Sequence, residues 1–274
     1  MAHYRTCWIS DIHLGTRGSQ ADSLLHFIKH NEFDKLYLVG DIVDIWALRR
    51  GIYWPQEHND VVQKLLREAR KGTDLIYIPG NHDEFIEGFC GHFGNIQIQP
   101  HDIHKTQTGE RILIIHGHQL DTVVQNMGWL AHVGDIGYKI LIECNHLNNY
   151  LRNLFKARPW SLSAYVKNEV KNVVSFIGKF EEEIVRYARD YEVDSVLCGH
   201  IHHAAQHRIQ GVNYYNTGDW VESCTAIVET MAGEIRLLSD LNITLHRPAY
   251  ESETEPILSE IPDSSRPVTA RSAA

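Results

Sequence analysis

The sequence predicts an α/β fold, and three observations predict it. Five short apolar runs, at residues 6–10, 36–39, 75–78, 111–115 and 195–198, read as buried strands bounded by turn residues. Segments of helical spacing, at 20–30 and 58–71, alternate with the first three of them. All five runs end in Asp, Asn or His close to Gly, and sites in open α/β sheets form outside the carboxyl ends of strands.

Taken in order, the first strand runs into Asp11-Ile12-His13. The first helix follows, with Leu24, Leu25, Phe27 and Ile28 on one side. The second strand ends in Gly40-Asp41-Ile42-Val43-Asp44. A segment rich in Trp and Arg (Trp46, Arg49, Arg50, Tyr53, Trp54) leads into the second helix, for which Gly72 is the expected C-cap. The third strand ends in Pro79-Gly80-Asn81-His82-Asp83. After a less regular region the fourth ends in His116-Gly117-His118, and the fifth in Gly199-His200-Ile201-His202-His203. Between those two, residues 124–191 lack strand signals. Two or three more strands are expected, around 212–216, 225–229 and 234–238, with the turn Asn216-Thr217-Gly218-Asp219-Trp220 after the first. Residues 1–247 are thus the expected folded domain, and from 248 onward Pro, Ser and Glu with little apolar content predict a disordered tail.

Composition narrows the function. A chain of 274 residues with 43% hydrophobic content can bury a sizeable core. Its net charge of −9 makes it a poor general binder of nucleic acid, because phosphate neutralisation by a basic surface dominates that affinity. The five cysteines are widely spaced with no Cys-x-x-Cys pair, which argues for reduced thiols and against a zinc ribbon. Met1 leads into Ala2-His3-Tyr4-Arg5 with no apolar signal region, and no run suggests a membrane span, so a cytoplasmic location is expected. The 18 histidines, many beside Gly or Asp, point to metal.

The strand ends carry the chemistry. Asn81 offers a neutral oxygen, His82 a group that carries a proton near neutral pH, and Asp83 a carboxylate able to orient that imidazole. In His116-x-His118 and His200-x-His202, alternate residues on extended backbone share a face and reach one metal or two neighbouring ones. Any one of these motifs is also what an ordinary turn looks like. Together they form one chemical set of carboxylate, amide oxygen and imidazole, without thiolate, which suits Mn, Fe or Zn. About seven such ligands exceed what one ion takes, so two divalent metals sharing a bridging carboxylate are expected. Two metals activate a hydroxide and clamp the oxygens of an in-line displacement at phosphorus.

With these five motifs in this order, the sequence resembles the calcineurin-like metallophosphoesterases over residues 6–220. That resemblance implies two packed mixed β-sheets flanked by helices. It also implies roles: Asp11, His13 and His202 on the first metal, Asn81, His116 and His200 on the second, and Asp41 bridging. His82 would protonate the leaving oxygen or stabilise charge on the phosphoryl group, steadied by Asp83, while Asp44 would be a supporting partner rather than a ligand. Mn²⁺ is the metal expected first, with Fe or Zn as alternatives. The expected partner is a small-molecule phosphate substrate.

Within that family the chain is similar to the UDP-2,3-diacylglucosamine diphosphatase branch, through Ser10-Asp11-Ile12-His13-Leu14, Gly218-Asp219-Trp220 and a helical insertion between the fourth and fifth motifs. There the insertion is a lid over the metals, and the reaction gives UMP and an acylated sugar 1-phosphate. Here the insertion, about 124–191, has apolar residues at helical spacing. From Lys139 to Lys179 it holds seven bases against two acids. An apolar stripe beside a basic patch suits a lipid-like phosphate or peripheral contact with the inner membrane. An ordinary helical hairpin packed on the core is the alternative. Lys167 and Lys171, one helical turn apart, are the expected substrate-phosphate contacts, with Arg49 and His118 as further candidates. The branch carries Arg where His82 stands and Asp where His118 stands, and both positions here follow the wider family. The alternatives are therefore a phosphodiesterase or phosphatase for another small phosphate compound, and a metal-binding interaction module without catalysis.

Overall fold

The computed structural model describes residues 1–121, 162–239 and 241, with backbone alone over 162–172. A first sheet of seven strands has the order β12-β11-β1-β2-β3-β5-β4. Its strands are β1 (Ala2–Ile9), β2 (Asn31–Val39), β3 (Asp74–Ile78), β4 (Gly91–Phe93), β5 (Ile96–Ile98), β11 (Ala226–Thr230) and β12 (Ile235–Leu238). A second sheet of five has the order β6-β7-β8-β10-β9. It is built from β6 (Asp102–Lys105), β7 (Arg111–Ile114), β8 (Ser195–Cys198), β9 (Ala205–Ile209) and β10 (Val212–Asn216). Both sheets are mixed: β1, β2, β3 and β5 run parallel in one, β7, β8 and β10 in the other, with antiparallel strands at the flanks.

The apolar runs do not alternate because their strands are buried on both faces. Trp8, Tyr37, Val39, Ile76 and Ile78 of the first sheet meet Ile112, Ile114, Leu197 and Tyr215 of the second. The intervening residues Cys7, Ile9, Leu36, Leu38 and Leu75 face outward, onto Leu24, Leu25 and Ile28 of α1 (Ala21–Lys29) and Val61 and Leu65 of α3 (Gln56–Lys71). On the far side, Leu113, Val196, Cys198 and Tyr214 pack against Phe180, Ile184, Val185 and Ala188 of α4 (Leu162–Arg189). Each fully buried aliphatic or aromatic side chain contributes about 1.5–3 kcal/mol relative to exposure, so the period-two division of each strand between two cores sets the register.

The expected strands and helices are present, with edges that differ. Strands β1 and β2 begin four and five residues earlier than the apolar runs, because polar residues that are exposed or partly exposed (His3 and Arg5 in β1, Asn31, Glu32, Asp34 and Lys35 in β2) interrupt the apolar pattern there. Gly72 caps α3 in the left-handed conformation, its N–H reaching Ala69 and Glu68 carbonyls. The Trp/Arg segment contains a short helix, α2 (Ile45–Arg50), capped by Asp44, whose carboxylate accepts from Ala47 N at 2.7 Å. The less regular region holds β4, β5 and β6, strands of three or four residues too short for a pattern to register. Residues 124–161 of the expected lid, and the expected tail at 248–274, lie outside the described residues. Among the described cysteines, Cys7, Cys198 and Cys224 are buried thiols and Cys90 is exposed. Among the described residues, no helix is long and apolar enough to cross a membrane.

Candidate metal centre

The carboxyl ends of β1, β2, β3, β7, β8 and β10 meet in one place. Past Ile9 and Val39 the parallel ladder continues into the loops, with Asp11 N donating to Gly40 O at 3.0 Å and His13 N to Asp41 O at 2.9 Å. Gly199 N donates to His116 O at 3.1 Å and Trp220 N to Asp11 O at 3.0 Å, joining the loops of the second sheet to one another and to the first. The alternate-residue spacing works differently from the expectation of extended backbone. Asp11, His13, Asp41, His200 and His202 all have left-handed φ, between 50° and 70°. This conformation costs a non-glycine residue about 1–3 kcal/mol, and it persists only where the surroundings over-determine it. Each left-handed residue turns its side chain inward from a loop held by the bonds above.

Two groups of donors share the Asp41 carboxylate. On one side, His13 Nε2 lies 3.9 Å from Asp41 Oδ2 and 3.2 Å from His202 Nε2, and His202 Nε2 lies 3.2 Å from Asp11 Oδ1. On the other, His116 Nε2 lies 3.4 Å from Asp41 Oδ2, and His200 completes a group of three potential donors. His116 Nδ1 donates to Val39 O at 2.8 Å, which leaves Nε2 as the lone-pair nitrogen. His13 Nδ1 does the same toward Asp44 Oδ2 at 3.2 Å.

Three observations test whether this centre fits divalent metal. Asp11 Oδ1, Asn81 Oδ1 and His116 Nε2 are buried without a hydrogen-bond partner among the described residues. Leaving such groups unsatisfied costs about 1–3 kcal/mol each, which a bound cation would offset. The backbone is cut back around the carboxylate: a Cβ on Gly80 would lie 2.2 Å from Asp41 Oδ1 and 2.8 Å from His116 Nε2. The donors are all nitrogen or oxygen, the set that Mn, Fe or Zn take. The residues present therefore fit a pair of divalent ions. Burial opposes ionisation of Asp41, yet His116, His13 and His82 hold it well below the ordinary carboxylate range. Burial likewise opposes charge on His116 and His202, but Asp41 pushes His116 up to about 10 and Asp11 pushes His202 up to about 9. Proton and metal thus compete for the same imidazole nitrogens.

His82 stands beside this pair of groups with Nε2 3.9 Å from Asp41 Oδ2. The expectation that Asp83 steadies it is corrected by the structure. Asp83 is fully buried beneath the loops and accepts from Gly80 N at 2.6 Å, Ile42 N at 2.8 Å, Val43 N at 3.3 Å and Tyr77 Oη at 2.6 Å. Its carboxylate is consumed in pinning the Asp41 loop to the third strand. The carboxylate nearest His82 belongs to Asp44, whose Oδ2 lies 3.1 Å from Nδ1, close enough for an ion pair but off-axis for a hydrogen bond. Burial lowers the His82 pKa, and Asp44 and Asp41 outweigh it, so the net shift is upward.

Of the expected substrate contacts, His118 joins the centre, its ring 5.5 Å from that of His116 and 6.5 Å from that of His200. Burial, aided by His116 and His200, pushes it down to about 4, so it is neutral at physiological pH. Arg49 is exposed in the last turn of α2 and takes no part in these groups. Lys167 and Lys171 lie on α4, and their side chains are outside the described residues. Sequence reasoning missed Asp121, which pairs with His200 Nε2 at 2.8 Å, and Ser10, whose hydroxyl bonds to Asp11 Oδ2 and lies 2.6 Å from that of Thr217. Ser10 adjoins a motif and could have been suspected, whereas nothing in the spacing of Asp121 marks it. Asp219 serves the loop itself, accepting from Val221 N at 2.8 Å and Ser223 Oγ at 2.8 Å.

The family profile of the calcineurin-like phosphoesterases matches residues 4–204. The chain is 30% identical to a UDP-2,3-diacylglucosamine hydrolase of Psychromonas ingrahamii, over 85% of this chain and 96% of that protein. It is 29% identical to one of Ectopseudomonas mendocina, over 77% of this chain and 88% of that protein. Against a third, of Pectobacterium atrosepticum, identity is 26% over 82% and 95% of the two chains.

Proposed function

The chain belongs to the calcineurin-like phosphoesterases and is a phosphoester or diphosphate hydrolase, and on that premise we propose that it cleaves the diphosphate of UDP-2,3-diacylglucosamine or a close lipid-linked nucleotide. The products would be UMP and an acylated sugar 1-phosphate. Relatives of that name, aligned over most of both chains, support the substrate. The observation that carries the chemistry is the Asp41 carboxylate facing His13 on one side and His116 on the other.

In this reading Asp11, His13 and His202 would hold one divalent ion, Asn81, His116 and His200 would hold another, and Asp41, between the two groups, would serve both. Mn²⁺ is the first to test, then Fe and Zn. When bound, the ions supply a nucleophile from water at neutral pH and neutralise charge on the phosphoryl group. The protein's own residues do the rest. His82, whose pKa Asp44 and Asp41 raise against the effect of burial, delivers a proton from Nε2 to the leaving oxygen. His118, neutral and lacking a partner for its buried Nδ1 among the described residues, offers a hydrogen bond to a phosphoryl oxygen. Asp83 fixes the loop that presents Asp41. Lys167 and Lys171 remain proposed contacts to the substrate phosphate, in an insertion at 124–191 of a domain spanning 1–247. Work on such a substrate would place the protein in the cytoplasm, at the inner-membrane surface.

A second reading, a phosphodiesterase or phosphatase for another small phosphate compound, is favoured by His82 itself. Its ion-pair contact with Asp44, 3.1 Å from Nδ1, suits a proton donor, where the lipid-processing branch carries Arg. Turnover of UDP-2,3-diacylglucosamine and of a simple aryl phosphodiester, each with Mn²⁺ and with chelator, separates the two. Chelator-sensitive release of UMP supports the first reading, while hydrolysis of the aryl ester alone defeats it.

A further inference from the structure

The turn that opens α2 delivers a second group to His82 besides Asp44. The Trp46 ring lies against the His82 imidazole, centroids 4.3 Å apart and planes inclined by 35°. His13 meets the same imidazole edge-on, at 4.8 Å and 88°. Trp46 is 44% exposed, whereas Trp8 and Trp220, the tryptophans of the interior, are 0% exposed. Core packing therefore does not account for where Trp46 sits. Nor does a well-aligned hydrogen bond fix the plane of His82, since its Nδ1 is off-axis to Asp44. A torsion between a tetrahedral and a planar carbon is broad, so an imidazole is held by what touches its faces and edges.

We propose that Trp46 is a positioning residue for the reaction: stacked on one face of His82 while His13 closes on it edge-on, it fixes the imidazole plane so that Nε2 stays directed at the Asp41 centre. The inference rests on the reading of His82 as the proton donor. It assigns Trp46 no contact with substrate. Aromatic pairs of this offset geometry contribute energy beyond their burial. Stacking also holds the ring through both proton donation and recovery, because it needs neither ring nitrogen.

The test compares the Mn²⁺-loaded full chain with Trp46→Ala, Trp46→Phe, His82→Ala and the Trp46→Ala/His82→Ala double variant. The substrates are the phenyl and 4-nitrophenyl esters of one phosphodiester, and metal content is measured alongside. An acid matters most for the poorer leaving group. Trp46→Ala should lower kcat on the phenyl ester about tenfold with KM changed less than about twofold. The nitrophenyl ester should lose less, metal content should hold, and Trp46→Phe should recover most of the loss. In the His82→Ala background, Trp46→Ala should add nothing. Histidine-ring NMR without metal should show the His82 signal moving in Trp46→Ala as the stacked ring is removed. A loss that persists in the His82→Ala background, a loss in KM, or parental kinetics in Trp46→Ala overturns the inference while leaving the proton-donor reading intact. Parental turnover in His82→Ala overturns that reading itself. If the parent hydrolyses neither ester, an unmoved His82 signal in Trp46→Ala still overturns the inference.

Discussion

The backbone N–H of His82 donates to Oδ1 of Asp41 at 2.9 Å, so the motif that brings His82 also orients the carboxylate between the two donor groups. Oδ2 is thereby left to face His116, His13 and the His82 ring. Because the link runs through backbone, truncating His82 spares it. His82→Ala should retain metal, measured by elemental analysis of the purified protein, and lose turnover by about 10²–10⁴-fold. Asp41→Ala should lose metal as well as activity. Turnover of His82→Ala at the parental rate would remove His82 from the chemistry.

Gly80 is the least replaceable position near that carboxylate. A methyl group there would stand 2.2 Å from Asp41 Oδ1 and 2.6 Å from Asp41 N, both held in place by Asp83 and His82. Neither can retreat without unseating the other. Gly80→Ala should cut metal content and lower kcat/KM by at least about hundredfold, as misplacement by about 1 Å commonly does. Circular dichroism should remain parental. Full metal content in Gly80→Ala would show that the loop has room the structure denies it.

The strand ends were legible because double-sided burial writes each central strand as an unbroken apolar run, with chemistry-bearing residues directly after it. What the runs could not reveal was direction. Asp83 and Asp44 both flank His82 as carboxylates, and only the fold turns Asp83 down onto Ile42 and Gly80 and brings Asp44 across from 38 residues away. The left-handed backbone at Asp11, His13 and Asp41 was equally hidden, since none of the three is glycine, the usual sign of that conformation. Helix α2 is not legible in the sequence because six residues carry no periodicity, and its cap, Asp44, has the look of a supporting carboxylate of the site.

Asp83 carries a stability prediction that sets it apart from the catalytic group it was expected to support. It satisfies Gly80 N, Ile42 N and Val43 N, and takes the Tyr77 hydroxyl as well. Asp83→Ala strands those donors in the interior and should lower unfolding free energy by about 3 kcal/mol, whereas Tyr77→Phe should lower it by about 1 kcal/mol. Urea titration of both variants checks this. If Asp83→Ala unfolds at the parental midpoint yet loses turnover, its role is chemical after all.

Far from the centre, Glu229 predicts how the fold responds to acid. It is fully buried on β11 and accepts from Arg5 Nη1 at 2.8 Å, Thr6 Oγ1 at 2.9 Å and Gln107 N at 2.7 Å, with His104 Nε2 at 2.9 Å. Burial raises its pKa, but these partners outweigh it and bring the carboxyl from the ordinary 4.5 down to about 2. A depressed carboxylate contributes stability that is fully present above its unfolded-state pKa and is lost as pH falls toward the folded one. At about 1.4 kcal/mol per unit, the contribution near neutral pH is about 3 kcal/mol. Glu229→Gln keeps the shape and removes the titration. The stability gap between parent and variant, read from urea midpoints, should be constant from pH 7 to about 5 and narrow steadily between about 4.5 and 2. A gap of unchanged size at pH 3 would mean that the neutral amide fails through geometry alone, and that the charge on Glu229 contributes nothing to holding β1 and β11 against β6.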